Sequence, residues 1–194
     1  MDGYALKIGE YGAIFKFYPG NGAAPLGPTN DYNDVAEDFQ VRYIGENHIV
    51  TVKATHVQEN TTKTAGYDQG AAKLYDSLNF TEADTTYYRK RKIGTSLGYL
   101  STTCTSDRTL YPNALGDLTL PSRTIPLGVT VRVNSSPDAA GCIGELNYLT
   151  WLNVKMTLQY THFTKFNGST NNYDRVGRNA SDNDTTYLNM WFAF

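Results

Sequence analysis

Three histidines and two cysteines are the side chains best suited to bind a metal or attack a substrate. His48, His56 and His162 fall on different segments, and Cys104 and Cys142 lie far apart in the chain. The spacing fits neither a zinc site nor a CxxCH heme attachment. An HExxH pair, a nucleophile elbow and a phosphate-binding loop are also missing, so the sequence predicts no enzyme, no cofactor and no metal site. The histidines are interpreted as interfacial or pore-lining.

Cys104 and Cys142 flank the longest predicted loop, at the ends of two segments that we expect to be neighbours. In the chain-entropy model, a bond that closes a loop of this size stabilises the fold by about 3 to 4 kcal/mol. An exported protein would pass through an oxidising compartment. Cys104 and Cys142 are therefore a candidate disulfide, and two free thiols are the alternative.

The segment at residues 167–183 is rich in asparagine and aspartate, which raises the question of calcium binding. Its spacing misses the DxDxDG pattern of a calcium loop. We therefore predict a solvated loop.

The composition favours strands over helices. The chain has 194 residues, a net charge of -2 and 15 tyrosines. Tyrosine and threonine fit pleated surfaces, and a nucleic-acid partner would require a basic surplus that is missing here. No stretch approaches 18 consecutive apolar residues, so no membrane-spanning helix is predicted. The start of the chain lacks a signal-peptide pattern, and we expect a fragment without the N-terminal strands and signal peptide.

Strict alternation of apolar and polar residues is clearest in residues 152–166, where Met156 and Leu158 alternate with Lys155 and Thr157. This period of two is typical of a strand with one oily face. In the first such segment, Tyr11 shares the apolar face with three neighbours, Ala13, Phe15 and Phe17. The pattern predicts eight strands, at residues 8–18, 34–44, 48–59, 78–88, 92–102, 142–149, 152–166 and 184–194.

Short and long links between these segments alternate along the chain, and all seven prolines fall in long links. Proline cannot donate to a strand ladder, so this distribution supports the strand boundaries. In an up-and-down meander, all short turns then lie at one end, which is the asymmetry of transmembrane barrels. We predict an all-β fold for residues 1–194: a single antiparallel up-and-down transmembrane β-barrel domain with about eight strands, the C-terminal portion of a larger barrel.

Charged residues on the predicted polar faces indicate a wet lumen. They carry both signs, so we expect weak ion selectivity. A soluble sandwich with its oily face turned inward would show the same alternation and is the alternative fold. The candidate lumen-facing residues are Lys16, Asp38, Arg42, Lys53, Glu145 and Lys155.

The chain ends on DTTYLNMWFAF, in which alternation continues to the last residue. A C-terminal strand that ends in phenylalanine resembles the assembly signal of Gram-negative outer-membrane proteins, which is read by the barrel assembly machinery. On this resemblance, Tyr187, Phe192 and Phe194 would form the terminal signal. Closure of the predicted barrel would independently pair the last strand with the first.

A closer resemblance covers residues 78–194 and is carried by the segments YYRKRKIGTSLGYLSTT, GELNYLTWLNVKMTLQYTHFTKFNG and NNYDRVGRNASDNDTTYLNMWFAF. They resemble the C-terminal half of a proteobacterial outer-membrane family described as porin-like or cytochrome-associated. The chain departs from that family at Thr150, where a proline is expected, and in its two cysteines.

The resemblance implies a bacterial outer-membrane location, a lipid environment and a non-enzymatic porin-like role in passive solute passage or structure. A first alternative, implied only by the resemblance, is a barrel sheath around a periplasmic multiheme cytochrome in an electron conduit. A second alternative is a soluble secreted β-sandwich that binds ligands.

Overall fold

The computed structural model describes residues 3–17, 28–65, 73–107, 136–151, 153–174 and 177–193. The side chains of Phe15 and Phe17, and all of Phe194, lie outside this description. The described part contains a short 3₁₀ helix, Ala180–Asn183, before the last strand. Its strands are β1 Gly3–Phe17, β2 Asn30–Ile44, β3 His48–Thr62, β4 Tyr75–Arg89, β5 Ile93–Cys104, β6 Ala139–Trp151, β7 Val154–Lys165 and β8 Thr185–Phe192.

The eight strands form one antiparallel sheet in chain order, from β1 to β8. This confirms the predicted all-β, up-and-down arrangement. In the described ladders, β1 pairs only with β2 and β8 pairs only with β7, so the sheet is open. The expected pairing of the last strand with the first is therefore not formed. No helix in the described ranges has the length and hydropathy needed to cross a membrane.

The three short links, which join β2 to β3, β4 to β5 and β6 to β7, all lie at one end of the sheet. Lys90 and Arg91 have φ angles of 50° and 55°, and the Lys92 amide donates to the Arg89 carbonyl at 3.0 Å. Two consecutive positive φ values suit the right-handed twist of a hairpin, but asparagine and glycine usually occupy them. For residues with a Cβ, this left-handed backbone costs about 1 to 2 kcal/mol each.

At the opposite end, β2 and β3 extend further than alternation predicts. β2 begins at Asn30, whereas the predicted segment begins at 34, and β3 runs to Thr62. The additional residues are polar on both faces, so they carry no period-two signal although their backbone continues the ladder. Alternation marks the half-oily part of each strand and misses its polar extension.

Residues opposite each other in an antiparallel register point to the same side of the sheet. The registers therefore define two faces. The polar face carries Asp38, Arg42, Thr51, Lys53, Asp84, Ser96, Glu145, Asn147, Lys155 and Thr157. The apolar face carries Leu6, Ile8, Phe39, Val52, Leu97, Leu146, Leu158, Leu188 and Met190.

The apolar face is more exposed than the polar face, which is the reverse of the pattern in a water-soluble protein. Leu97 and Leu146 on the apolar face are 71% and 62% exposed, whereas Asn147 and Ser96 on the polar face are 2% and 7% exposed. Most of the side chains that the sheet buries are therefore polar, and many of those that it exposes are aliphatic.

The register of β1 corrects the face expected for its residues. The strand begins at Gly3, and Ile8 lies opposite Phe39. Ile8 therefore shares the apolar face, and Tyr11 lies on the polar face, contrary to our expectation. The sequence is misleading here because β1 has apolar residues on both sides.

Candidate functional site: the polar cavity

One cavity on the polar face collects side chains from β2 through β7 and has a volume of about 470 Å³. Strands in a sheet lie about 4.8 Å apart, so a flat sheet would separate β2 from β7 by roughly 24 Å. Because both strands line one cavity, the sheet curls toward its polar face. The lining includes Arg42, Lys53, Glu82, Asp84, Tyr88, Ser96, Glu145, Lys155 and Gln159.

The charges in this cavity are balanced in number and are not neutralised by ion pairs within it. Lys53 lies directly opposite Asp84 in the register, but their charged groups are not within 4.0 Å of each other. In the described residues, the ion pairs lie elsewhere. The Arg42 Nε instead donates to Thr51 Oγ1 at 3.1 Å, and Thr86 Oγ1 donates to an Asp84 carboxylate oxygen at 3.3 Å.

Hydrogen bonds between buried polar side chains connect the strands that form the cavity wall. Thr157 Oγ1 donates to Asn147 Oδ1 at 2.7 Å, and the Asn147 amide reaches Ser96 Oγ at 3.4 Å. Ser96 Oγ lies 3.0 Å from Thr86 Oγ1. These contacts run across β4 to β7 and satisfy polar groups that would be costly to bury alone. Sequence reasoning gave Asn147 and Ser96 no role, although their alternation with Leu146 and Leu97 already placed them on the polar face.

Tyr88 lies over Gly94, its partner in the β4–β5 register. A Cβ at Gly94 would come within 2.5 Å of the Tyr88 ring. The glycine therefore makes room for an aromatic ring that lines the cavity.

The structure brings together four of the six candidate lumen residues: Arg42, Lys53, Glu145 and Lys155. Asp38 shares their face and accepts a hydrogen bond from Thr55 Oγ1 at 2.7 Å.

Lys16 does not join the other candidates. It lies opposite Asp31, on the same side as Ile8, and its ammonium is 3.5 Å from the Asp31 carboxylate. The two faces of β1 are exchanged relative to our expectation, as for Tyr11, and this exchange accounts for the position of Lys16.

The candidate disulfide between Cys104 and Cys142 is not formed in this structure. Cys142 lies opposite Tyr99 on the apolar face, whereas Cys104 lies opposite Leu78 on the other face. They also stand at different heights, since Thr102 already pairs with Ala139. A disulfide requires the two Cβ atoms to be about 4 Å apart, which this placement does not allow.

All three histidines belong to the apolar face and lie near its borders. His48 Nδ1 is 2.7 Å from Tyr87 Oη at the turn end, and His56 Nδ1 is 2.9 Å from Thr81 Oγ1 toward the loop end. His162 lies at the loop end of β7. In the described ranges, no three His, Cys, Asp or Glu side chains converge as metal ligands.

Asp184 joins the loop end of β7 to the start of β8. It accepts hydrogen bonds from Tyr160 Oη at 2.6 Å and from the Phe163 amide at 2.9 Å, and His162 Nδ1 lies at 2.8 Å. The bond to His162, followed by that to Tyr160, lowers the pKa of Asp184 from 3.8 to about 2. Hydrogen bonds to the charged form favour the carboxylate, which remains ionised here.

The proposed terminal signal residues lie on both faces of β8. Tyr187 pairs with Gln159 on the polar side, and Phe192 pairs with Val154 on the apolar side. Phe194, the third of them, lies outside the described residues.

Comparisons with protein-family models, with curated proteins and with solved structures find no match to this chain.

Proposed function

We propose that this chain forms a porin-like β-barrel of the outer membrane, without enzyme activity, which passes small hydrophilic solutes. The observation that carries the proposal is the inverted burial of the two faces. Leu97 is 71% exposed while Asn147 is 2% exposed. In water, such an apolar face would be costly at about 25 cal/mol per Å². Hydrocarbon around the sheet removes that cost.

Tyrosines on the apolar face support a bilayer setting. Tyr43 and Tyr148 stand near the short turns, and Tyr99 and Tyr160 stand two residues further toward the long loops than Leu97 and Leu158. Tyrosine has an apolar ring and a polar hydroxyl, so it prefers the two membrane interfaces. Seven of the strands are 12 to 15 residues long, above the roughly 9 to 11 that a tilted strand needs to span a bilayer.

A bilayer setting places a further requirement on the edges of the sheet. Hydrocarbon cannot satisfy the free N–H and C=O groups of β1 and β8, so these strands must pair in the membrane. Pairing with each other gives an eight-stranded barrel whose interior is filled by side chains. Solute passage requires a wider ring, so we propose that further strands separate β1 from β8.

Reconstitution of the full chain tests the proposal. Refolded in detergent and transferred to vesicles, it should float with the lipid, and the wider ring that includes the further strands should conduct small ions in planar bilayers. The variant Leu97→Arg is the control, since it places a charge in the apolar face and should reduce insertion.

A monodisperse protein in plain buffer, with Leu97 and Leu146 protected from solvent, would instead support the soluble sandwich. Insertion without conductance, together with co-purification of a heme protein, would favour the sheath.

A further inference from the structure

The turn between β4 and β5 carries four consecutive basic residues, Arg89, Lys90, Arg91 and Lys92. All four are exposed, and none forms an ion pair with a described residue. The other two short turns contain a single charged residue, Glu46. The turn end of the sheet therefore has a concentrated, unneutralised positive charge.

The backbone of this turn has an unfavourable conformation. Lys90 and Arg91 both hold positive φ angles that asparagine and glycine would adopt without strain. An observed strain of this kind is a reason to look for a role of the side chains. Here the strained positions are the two central charges of the run.

Hydrogen bonds fix the turn at the border of the apolar face. The Lys90 amide donates to the Asn47 carbonyl at 2.7 Å, and the Leu149 amide donates to the Lys92 carbonyl at 2.8 Å. The Lys92 ammonium also lies 5.7 Å from the centre of the Tyr148 ring. The charges are thus held beside the tyrosines that border the apolar face, at the depth where lipid phosphates would lie.

We propose that the Arg89 to Lys92 turn binds the phosphate groups of anionic lipids in the leaflet next to the short turns. The inference rests on the proposed function, because it needs the apolar face to be in a bilayer. Basic residues next to a membrane surface attract anionic headgroups, and arginine can bind phosphate through two parallel hydrogen bonds. An acidic protein is the competing partner, but the contact between Lys92 and a border tyrosine favours the lipid layer.

Trp151 is the native reporter for the test, since it is 73% exposed and pairs with Val154 at the same end of the sheet. In a Trp191→Phe background it is the only tryptophan. The protein is reconstituted in vesicles that contain equal mole fractions of brominated phosphatidylglycerol or brominated phosphatidylcholine. We expect stronger quenching of Trp151 by the brominated phosphatidylglycerol, and the difference should decrease with salt.

The variant Lys90→Asn with Arg91→Gly removes two charges and relieves the turn, so it should fold at least as stably as the parent. It should reduce the preference for phosphatidylglycerol by up to about 25-fold, since each basic residue at a membrane surface contributes about fivefold. The control Lys7→Gln with Lys16→Gln removes two charges from β1 and should keep the preference. Arg91→Gln alone is a second variant, which removes one charge without adding a glycine to the turn.

The outcomes separate the two proposals. If the parent protein remains in the supernatant and neither lipid quenches Trp151, the membrane function is wrong. If it inserts and both lipids quench equally, the membrane function stands and the lipid-phosphate inference is overturned. Equal quenching with salt-sensitive retention on poly-glutamate would assign the turn to an acidic protein, which also overturns the inference.

Discussion

The ring of Tyr88 covers the backbone of Gly94 so closely that an added Cβ would lie 2.5 Å from the ring. Gly94→Ala must therefore push Tyr88 into the cavity. Overpacking of this kind costs about 1 to 3 kcal/mol. We expect the free energy of unfolding, measured by urea titration in detergent, to decrease by that amount.

Gly144→Ala is the matched control for this substitution. Gly144 also lies in a strand of the sheet, but a Cβ there has nothing within 4 Å. It should leave the unfolding midpoint unchanged or raise it slightly. Equal losses in the two variants would show that Tyr88 does not restrict residue 94.

Leu97→Arg tests the surroundings of the apolar face. In a bilayer, arginine near the midplane of a barrel strand costs about 2 to 4 kcal/mol. At an exposed site in water, the same change would stay within about 0.5 kcal/mol. We expect the large loss, measured as unfolding free energy in vesicles.

Thr103→Arg is the control on the same strand and the same face, but toward the long loops, and its side chain is exposed. It should cost little in vesicles. A small effect from both substitutions would contradict the membrane setting of the apolar face.

Lys53 and Glu82 line the cavity with opposite charges, so the unmodified pore should show weak ion selectivity. Lys53→Gln should shift the reversal potential toward cation preference, and Glu82→Gln should shift it toward anion preference. A unit charge about 4 Å from an ion contributes about 1 kcal/mol in water, so each permeability ratio should change by a factor of about five or less.

Lys16→Gln removes one positive charge from the opposite face and should leave the reversal potential unchanged. A shift as large as that of Lys53→Gln would contradict the register-based assignment of Lys16.

The lowered pKa of Asp184 predicts that the contribution of this carboxylate to the stability of the protein changes with pH only in the acid range. Its pKa is lowered from 3.8 to about 2, chiefly by His162. The unfolded chain binds a proton at higher pH than the native one, so the stabilisation by Asp184 is complete above about pH 4. It is lost as the pH decreases through about 2.

Asp184→Asn should be less stable than the parent at pH 7, and this difference should disappear as the pH decreases from about 4 to about 2. Thermal unfolding at a series of pH values measures it. A constant difference down to pH 2 would show that the ionised carboxylate is not what links β7 to β8.

Alternation in the sequence predicted all eight strands and the short links because most of the strands have one oily and one polar side. It could not place the face of β1, where Tyr11 and Ile8 are both apolar and stand on opposite sides. It also paired Cys104 with Cys142 from their nearness to one loop, whereas the register sets them at different heights and on opposite faces. Register depends on how neighbouring strands align, which a single strand does not encode.

Alternation also made part of the cavity lining predictable from the sequence. Arg42 and Lys53 were identifiable because a charge interrupts an oily segment. Ser96 and Asn147 are small neutral side chains, and only their burial and mutual hydrogen bonds show that they hold the wall. The sequence analysis gave the basic turn no role, and its strained backbone and its contact with Tyr148 required coordinates.

Every ladder in this sheet joins strands that are consecutive in the chain. Each hairpin can therefore add to the previous one as a unit, without waiting for a distant segment to arrive.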